Sequence, residues 1–291
     1  MELELEPVGN SGAQIVYNHC GIGILDLSEA AVKEAYRSAG VLLFRGFNVD
    51  ALSMRAFAGK FSSKFNRDRL RPPVAGSDGY VQQVTEGMGY IEPHSEQANS
   101  PFRPDSIWFC CERPAEDGGE TLYWDGVLLW KEFPEEMQQL FRAKKLRFFQ
   151  RYGPDRWQLF LGPDSTLTDA QALLDGIEGL SYFIADDGSI YIEYMCSAVV
   201  RTKFCNELAF ANGLLTEHAN TLGDLMTFDD GTPVSDDIVN NIRELMQPLT
   251  EEIVWQPGDL AFVDNSRFLH GRNPYKDQGR KIYSCLSFLN F

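Results

Sequence analysis

Histidine is scarce in this chain: 291 residues contain four, His19, His94, His218 and His270. Any metal site built on imidazole must draw on that small set. Other absences narrow the field further. No stretch approaches the ~18 consecutive apolar residues that a membrane helix needs. There is no Gly-x-Gly-x-x-Gly and no Walker A pattern, which argues against a dinucleotide-binding or phosphate-loop fold. The six cysteines, Cys20, Cys110, Cys111, Cys196, Cys205 and Cys285, never fall in a Cys-x-x-Cys spacing. A zinc or redox motif is therefore unsupported, and buried reduced thiols are expected. Positive charge is in deficit, 26 Lys and Arg against 42 Asp and Glu, for a net charge of -16. Such a chain repels phosphate backbones, so nucleic acid is not an expected partner. The alternating run Arg67, Arg69, Arg71 reads as a solvated loop or a substrate-edge feature. The first six residues are acidic where a secretory leader would be basic and then apolar, so a cytoplasmic protein is expected.

No repeat, low-complexity tract or Ser/Gly-rich linker divides the sequence, and its hydrophobic content of 44% suffices for a large core. A single domain over 1–291 is expected. Gly40 to Phe47 reads as a strand, with amphipathic helices before it (Ser28 to Ser38) and after it (Leu52 to Phe61). Further strands are expected at Ser106 to Cys111, Thr121 to Trp124, Arg147 to Tyr152, Leu180 to Ala185, Ser189 to Tyr194, Glu252 to Trp255, Asp259 to Asp264 and Lys281 to Phe291. Asp186-Asp187-Gly188 is a hairpin turn. Helical spacing recurs at Leu128 to Ala143, Asn206 to Leu222 and Ser235 to Gln247. The expected fold is mainly β with helical additions, a barrel or jelly roll, with helical insertions over roughly 126–146 and 206–247.

Two remote segments carry the chemistry. One is His94-Ser95-Glu96. The other runs from Gly258-Asp259 through Asp264-Asn265 to His270, with Arg280 ten residues later. On an extended strand, positions i and i+2 share a face, so His94 and Glu96 could reach one ion. Pro93 favours a strand end or edge. His270, in a strand-loop-strand setting, is a credible third ligand. Two imidazoles and one carboxylate that leave open positions suit non-haem Fe(II). Zinc also accepts this set, but its common helical motif His-Glu-x-x-His is absent. His19 and His218 have ordinary polar surroundings.

These motifs, together with GVLLFRGF (Gly40 to Phe47) and Gly118-Gly119-Glu120-Thr121, resemble the taurine dioxygenase-like (TauD/TfdA) family of Fe(II)- and 2-oxoglutarate-dependent oxygenases over most of the chain. Glutamate at 96 in place of aspartate resembles the clavaminate synthase-like branch. The resemblance implies a double-stranded β-helix, the jelly roll of clavaminate synthase-like proteins. It implies iron on His94, Glu96 and His270, and 2-oxoglutarate touched by Thr121 and paired through its far carboxylate with Arg280. Arginine is the planar, always charged, bidentate partner such a carboxylate needs. O2 would complete the cofactor set, with succinate and CO2 released. Arg272, in His-Gly-Arg, is the rival for that role and reads as a loop tie. A retained carboxylate ligand favours hydroxylation over halogenation and leaves desaturation, epoxidation and ring closure open. The later arginine with which many members grip anionic substrates is missing from Tyr283-Ser284-Cys285-Leu286-Ser287.

Substrate contacts are expected on loops at the barrel mouth: Gln82 and Gln83 before the metal motif, Arg103 after it, and Tyr194 and Arg201 flanking a lid-like segment. By analogy of branch the substrate is an amino acid, free or tethered to a carrier protein, or a natural-product intermediate derived from one. A homo-oligomer is compatible with the sequence. The competing readings are a non-catalytic jelly-roll binding protein and a zinc hydrolase on the same ligands.

Overall fold

The structure is a computed structural model that describes residues 3–68, 71–84, 87–219 and 226–291. It is mainly β. The large sheet runs in the order Leu5–Val8, Ala13–Tyr17, Val41–Arg45, Leu260–Asp264, Ser106–Arg113, Lys281–Leu289 and Ser62–Asn66, with Val81–Gln83 also paired to Lys281–Leu289. A smaller sheet, Glu251–Ile253, Thr121–Asp125, Phe268–Arg272 and Ile91–His94, faces it. Two facing sheets, antiparallel except for the pairing of Ala13–Tyr17 with Val41–Arg45, are fed from both ends of the chain and give the expected jelly roll.

The strand sequences show why the sheets stack. Successive side chains of a strand point to opposite faces. Leu42, Phe44, Trp108, Cys110, Leu260 and Phe262 pack with helices Glu29–Ala39 and Ala51–Phe61. Their alternates Val41, Leu43, Ile107, Phe109, Ala261 and Val263 face inward with Tyr123 and Phe268 of the smaller sheet. A sheet covered on both faces needs strands that are apolar at nearly every position, as Leu260–Asp264, buried throughout, illustrates. Helices Gly126–Glu132 and Asp236–Met246 cover the outer face of the smaller sheet through Leu122, Trp124 and Leu269.

Three local expectations need correction. The helix over Leu128 to Ala143 is two helices, Gly126–Glu132 and Glu135–Ala143, separated at Phe133-Pro134. Proline lacks the N–H a helix interior needs and pushes its predecessor out of helical geometry. The segment from Asn206 is not helical at its start. Leu208–Phe210 is a strand paired with Val199–Arg201, and helix appears only at Leu214–Ala219. The rest of that expected helix, 220–222, lies outside the described residues, as does Arg69. The 206–247 region is accordingly mixed, with a further strand at Met226–Phe228 before Asp236–Met246. Third, Cys20 and Cys205 are exposed, while Cys110, Cys111 and Cys285 are buried; all six are free thiols.

The expected hairpin around Asp187 belongs to a separate four-stranded sheet, Leu180–Ile184, Ile190–Cys196, Leu146–Tyr152 and Met226–Phe228. Helices Pro154–Leu161 and Leu167–Leu174 pack on it around Trp157 and Ile190. No helix among the described residues is long and apolar enough to cross a membrane.

One buried ion pair ties the smaller sheet to its covering helix. Asp125 accepts from Arg267 Nε at 3.1 Å and Nη2 at 2.6 Å, and its other oxygen caps the helix by accepting from Val127 N at 2.8 Å. Asp125→Ala would leave a buried guanidinium unpaired and a helix uncapped. The expected loss is about 3–5 kcal/mol of unfolding free energy, read as a lower urea midpoint. A change below about 1 kcal/mol would show that the pair behaves like a surface one.

Candidate active site

His94 ends the Ile91–His94 strand and lies opposite His270 in the neighbouring Phe268–Arg272 strand. Their ring centroids are 4.3 Å apart. Gly271 makes this approach feasible, because a Cβ there would sit 2.6 Å from the Ile91 carbonyl oxygen. Glu96 arrives differently from the strand-face expectation. It lies past the strand end, in a turn that continues through Gln97 at φ 54°. That turn is pinned from the far end of the chain. Ser95 N donates to Asn212 O at 2.9 Å. The buried Asn265 side chain accepts from Glu96 N at 2.8 Å and donates to Glu96 O at 3.0 Å.

The result is one cluster. Ligand atoms of His94, Glu96 and His270 all lie within 4.8 Å of one another, the only such group of three among the described residues. Glu96 Oε2 is 3.6 Å from His270 Nε2 and 4.0 Å from His94 Nε2. These separations are too long for hydrogen bonds and short enough for one shared cation. His94 Nδ1 is 2.8 Å from the Glu92 carbonyl oxygen, which can only accept. The proton therefore sits on Nδ1, and the Nε2 lone pair faces the cluster, the usual outer-sphere arrangement of a metal-binding histidine. Burial, with His270 adjacent, lowers the His94 pKa to about 4, so the ring is neutral at pH 7. Burial alone would raise the Glu96 carboxyl, but the Arg71 guanidinium and the two imidazoles hold it well below the usual range. Two imidazoles and one carboxylate, convergent on one point, fit a divalent iron. His19 and His218 instead face Glu4 and Asp236.

Beside the cluster, Thr121 and Arg272 are cross-strand partners, as are Tyr123 and His270, so all four side chains share one face of the sheet. Thr121 Oγ1 accepts from Trp255 Nε1 at 3.0 Å, and its hydroxyl proton remains available to donate. Arg280 is buried and donates through Nε to Gly119 O at 3.0 Å, two residues from Thr121. Gly119, at φ 74°, leaves the room: a Cβ would meet Arg280 Cδ and Nε at 3.0 Å. Burial lowers the Arg280 pKa from its ordinary value, with Arg272 adding to it. Arg272 Nη2 donates to Gly87 O at 3.0 Å and Gly89 O at 2.8 Å, the loop tie expected of it.

The chain belongs to the taurine catabolism dioxygenase TauD, TfdA family. The family model matches residues 6–286, and the class is that of iron- and 2-oxoglutarate-dependent oxygenases. Among curated proteins the chain is 25% identical over 279 residues to a clavaminate synthase-like protein of Arabidopsis thaliana, covering 85% of this chain and 81% of that protein. It is 23% identical over 278 residues to the dapdiamide synthesis protein DdaC of Enterobacter agglomerans, covering 86% and 83%. Among solved structures, PvcB from Pseudomonas aeruginosa superposes with a TM-score of 0.65 at 15% identity, covering 98% of this chain and 91% of that one. PvcB is described as an Fe, alpha-ketoglutarate dependent oxygenase from an isonitrile synthetic pathway. The fold shared with that structure extends over 98% of this chain.

Within this family framework, the residues expected to meet substrate have diverse positions. Gln82 is buried and spends its side chain on the loop before it, accepting from Asp68 N at 2.8 Å and donating to Asp68 O and to Arg71 O at 2.9 Å. Gln83 pairs with Tyr283 in the large sheet. Arg103 is tied to backbone carbonyls, donating to Ala211 O at 2.9 Å and to Asn265 O. Tyr194 lies opposite Phe148 and packs against the cluster under helix Asp236–Met246. Arg201 is exposed and donates to Asn206 O at 3.1 Å. Sequence reasoning gave little weight to Arg71. Its Nη2 is 4.0 Å from Glu96 Oε1, and its Nη1 donates to Ser284 Oγ at 3.4 Å. Arg71, Gln82 and Arg67 also line a cavity of about 580 Å³, whose opposite wall is Asp155, Gln158 and Leu159. Of the five substrate candidates, only Gln82 borders it.

Proposed function

We propose that His94, Glu96 and His270 hold Fe(II), and that Thr121 and Arg280 hold 2-oxoglutarate. The substrate is a small molecule, an amino acid or an amino-acid-derived intermediate of natural-product biosynthesis, and the reaction is its hydroxylation with release of succinate and CO2. The convergence of three ligand atoms within 4.8 Å carries this reading. The biosynthetic role named for the dapdiamide protein supports the substrate class. Bound iron with 2-oxoglutarate supplies the oxidising chemistry; the protein's own residues supply the rest. Glu96 balances charge and is kept deprotonated by Arg71. His94 is oriented by the Glu92 carbonyl. Arg280, fixed by Gly119, takes the distal carboxylate, and the Thr121 hydroxyl donates to the cosubstrate. The segment from Leu146 to Cys196 works with the barrel as one oxygenase domain, its helix Pro154–Leu161 walling the cavity.

Anaerobic Fe(II) with 2-oxoglutarate should give a weak visible charge-transfer band, and air with a substrate from an amino-acid library should give stoichiometric succinate. Succinate formation with no band, or turnover on Zn(II) without oxygen, would refute the assignment.

A further inference from the structure

The cavity between Arg67 and helix Pro154–Leu161 contains a charge that no described residue pairs with. Arg67 forms no ion pair among the described residues, and its Nε is buried with no hydrogen-bond partner. An unsatisfied buried donor costs about 1–3 kcal/mol, more when charged, and in a native fold it calls for a missing partner. The neighbouring carboxylates are engaged elsewhere or lie across the cavity. Asp68 is 3.5 Å from Arg71 Nε, and Asp155 stands on the opposite wall. The Gln82 side chain bonds the backbone of Asp68, the neighbour of Arg67, and of Arg71. Arg71 also lines the cavity, and its Nη2 is 4.0 Å from Glu96 Oε1, so one guanidinium stands between the cavity and the metal cluster.

We propose that Arg67 binds a free carboxylate of the substrate in this cavity. The inference rests on the oxygenase reading and narrows its substrate to a small carboxylic acid whose reactive carbon lies toward Glu96. The guanidinium fork matches a carboxylate's two oxygens. Asp155 and Gln158 on the facing wall supply partners for an amine on the same molecule. A substrate linked to a carrier through that carboxyl would present a neutral thioester to Arg67, so the acid is taken free.

The test uses the full chain with Fe(II) and 2-oxoglutarate under anaerobic conditions. The probes are the proteinogenic L-amino acids, their N-acetyl derivatives and simple dicarboxylic acids, each paired with its methyl ester. Perturbation of the charge-transfer band and the melting temperature are read against concentration. At least one acid should bind, with its ester about tenfold weaker or worse. Arg67→Met should weaken the acid about tenfold and leave the ester unchanged. Arg67→Lys, which keeps the charge, should fall between, and its melting temperature separates lost binding from lost folding. Equal binding of acid and ester, no acid bound by the wild type, or an acid affinity untouched in Arg67→Met would each overturn the proposal. So would a raised 2-oxoglutarate requirement in Arg67→Met, since the cavity would then belong to the cosubstrate. Absence of the band from the wild type would instead overturn the oxygenase reading.

Discussion

His94→Ala is expected to abolish the Fe(II)–2-oxoglutarate charge-transfer band and all succinate formation while leaving the fold intact. The ring ends a strand and has one hydrogen bond, to the Glu92 carbonyl, so its removal exposes a small space at a polar site and breaks no core contact. Loss of an outer-sphere partner alone commonly costs 10–100-fold in metal affinity. Loss of one of three protein ligands should exceed about a hundredfold. Anaerobic metal titration, alongside far-UV circular dichroism, measures both halves of the expectation. A variant that binds iron with wild-type affinity would remove His94 from the ligand set and reopen the choice of metal. Glu96→Ala should behave in the same way, with a further effect: Arg71 would lose its nearest metal-site carboxylate.

Arg280→Ala should separate cosubstrate binding from metal binding. The guanidinium is buried and fixed at one end by the Gly119 carbonyl. Its burial costs free energy that the Gly119 carbonyl offsets in part and a carboxylate partner would offset further. Removing it should cost 2-oxoglutarate about 2–5 kcal/mol, roughly a thirtyfold or larger rise in the concentration needed for half-maximal turnover. Fe(II) affinity in the absence of cosubstrate should be unchanged. Arg272→Ala should act through the Gly87 and Gly89 carbonyls it bonds, lowering stability more than cosubstrate affinity. The reverse pattern, with Arg272 dominating the 2-oxoglutarate dependence, would exchange the two roles.

Much of this was legible in the sequence because the chemistry uses rare residues. With four histidines, His94 and His270 stood out, and the apolar strands on either side of His270 could be read from their composition. The four central strands of the large sheet were also legible, because strands buried on both faces are apolar almost throughout. The route by which Glu96 reaches the cluster was not. An i, i+2 spacing suggests a strand face, whereas a turn at positive φ, held by Asn265 from 169 residues away, achieves the same convergence. Leu208–Phe210 was misjudged for a related reason: its pairing with Val199–Arg201, not its own periodicity, decides its conformation. Arg67 and Arg71 were visible as charge, but their half-buried place beside Gln82 and the helix that begins at Pro154 was not. Sequence placed Gln82 among substrate contacts; the structure instead shows its amide occupied by backbone.

Asn265 also sets an order of events during synthesis. His94 and Glu96 leave the ribosome long before Asn265 and His270, and the turn that aims Glu96 relies on the Asn265 amide. A nascent chain therefore displays only an unbraced His-x-Glu pair, a poor chelator. On the proposed ligand set, a tight iron site can form only after Asn265 and His270 have joined a pair whose glutamate lies 169 residues before Asn265.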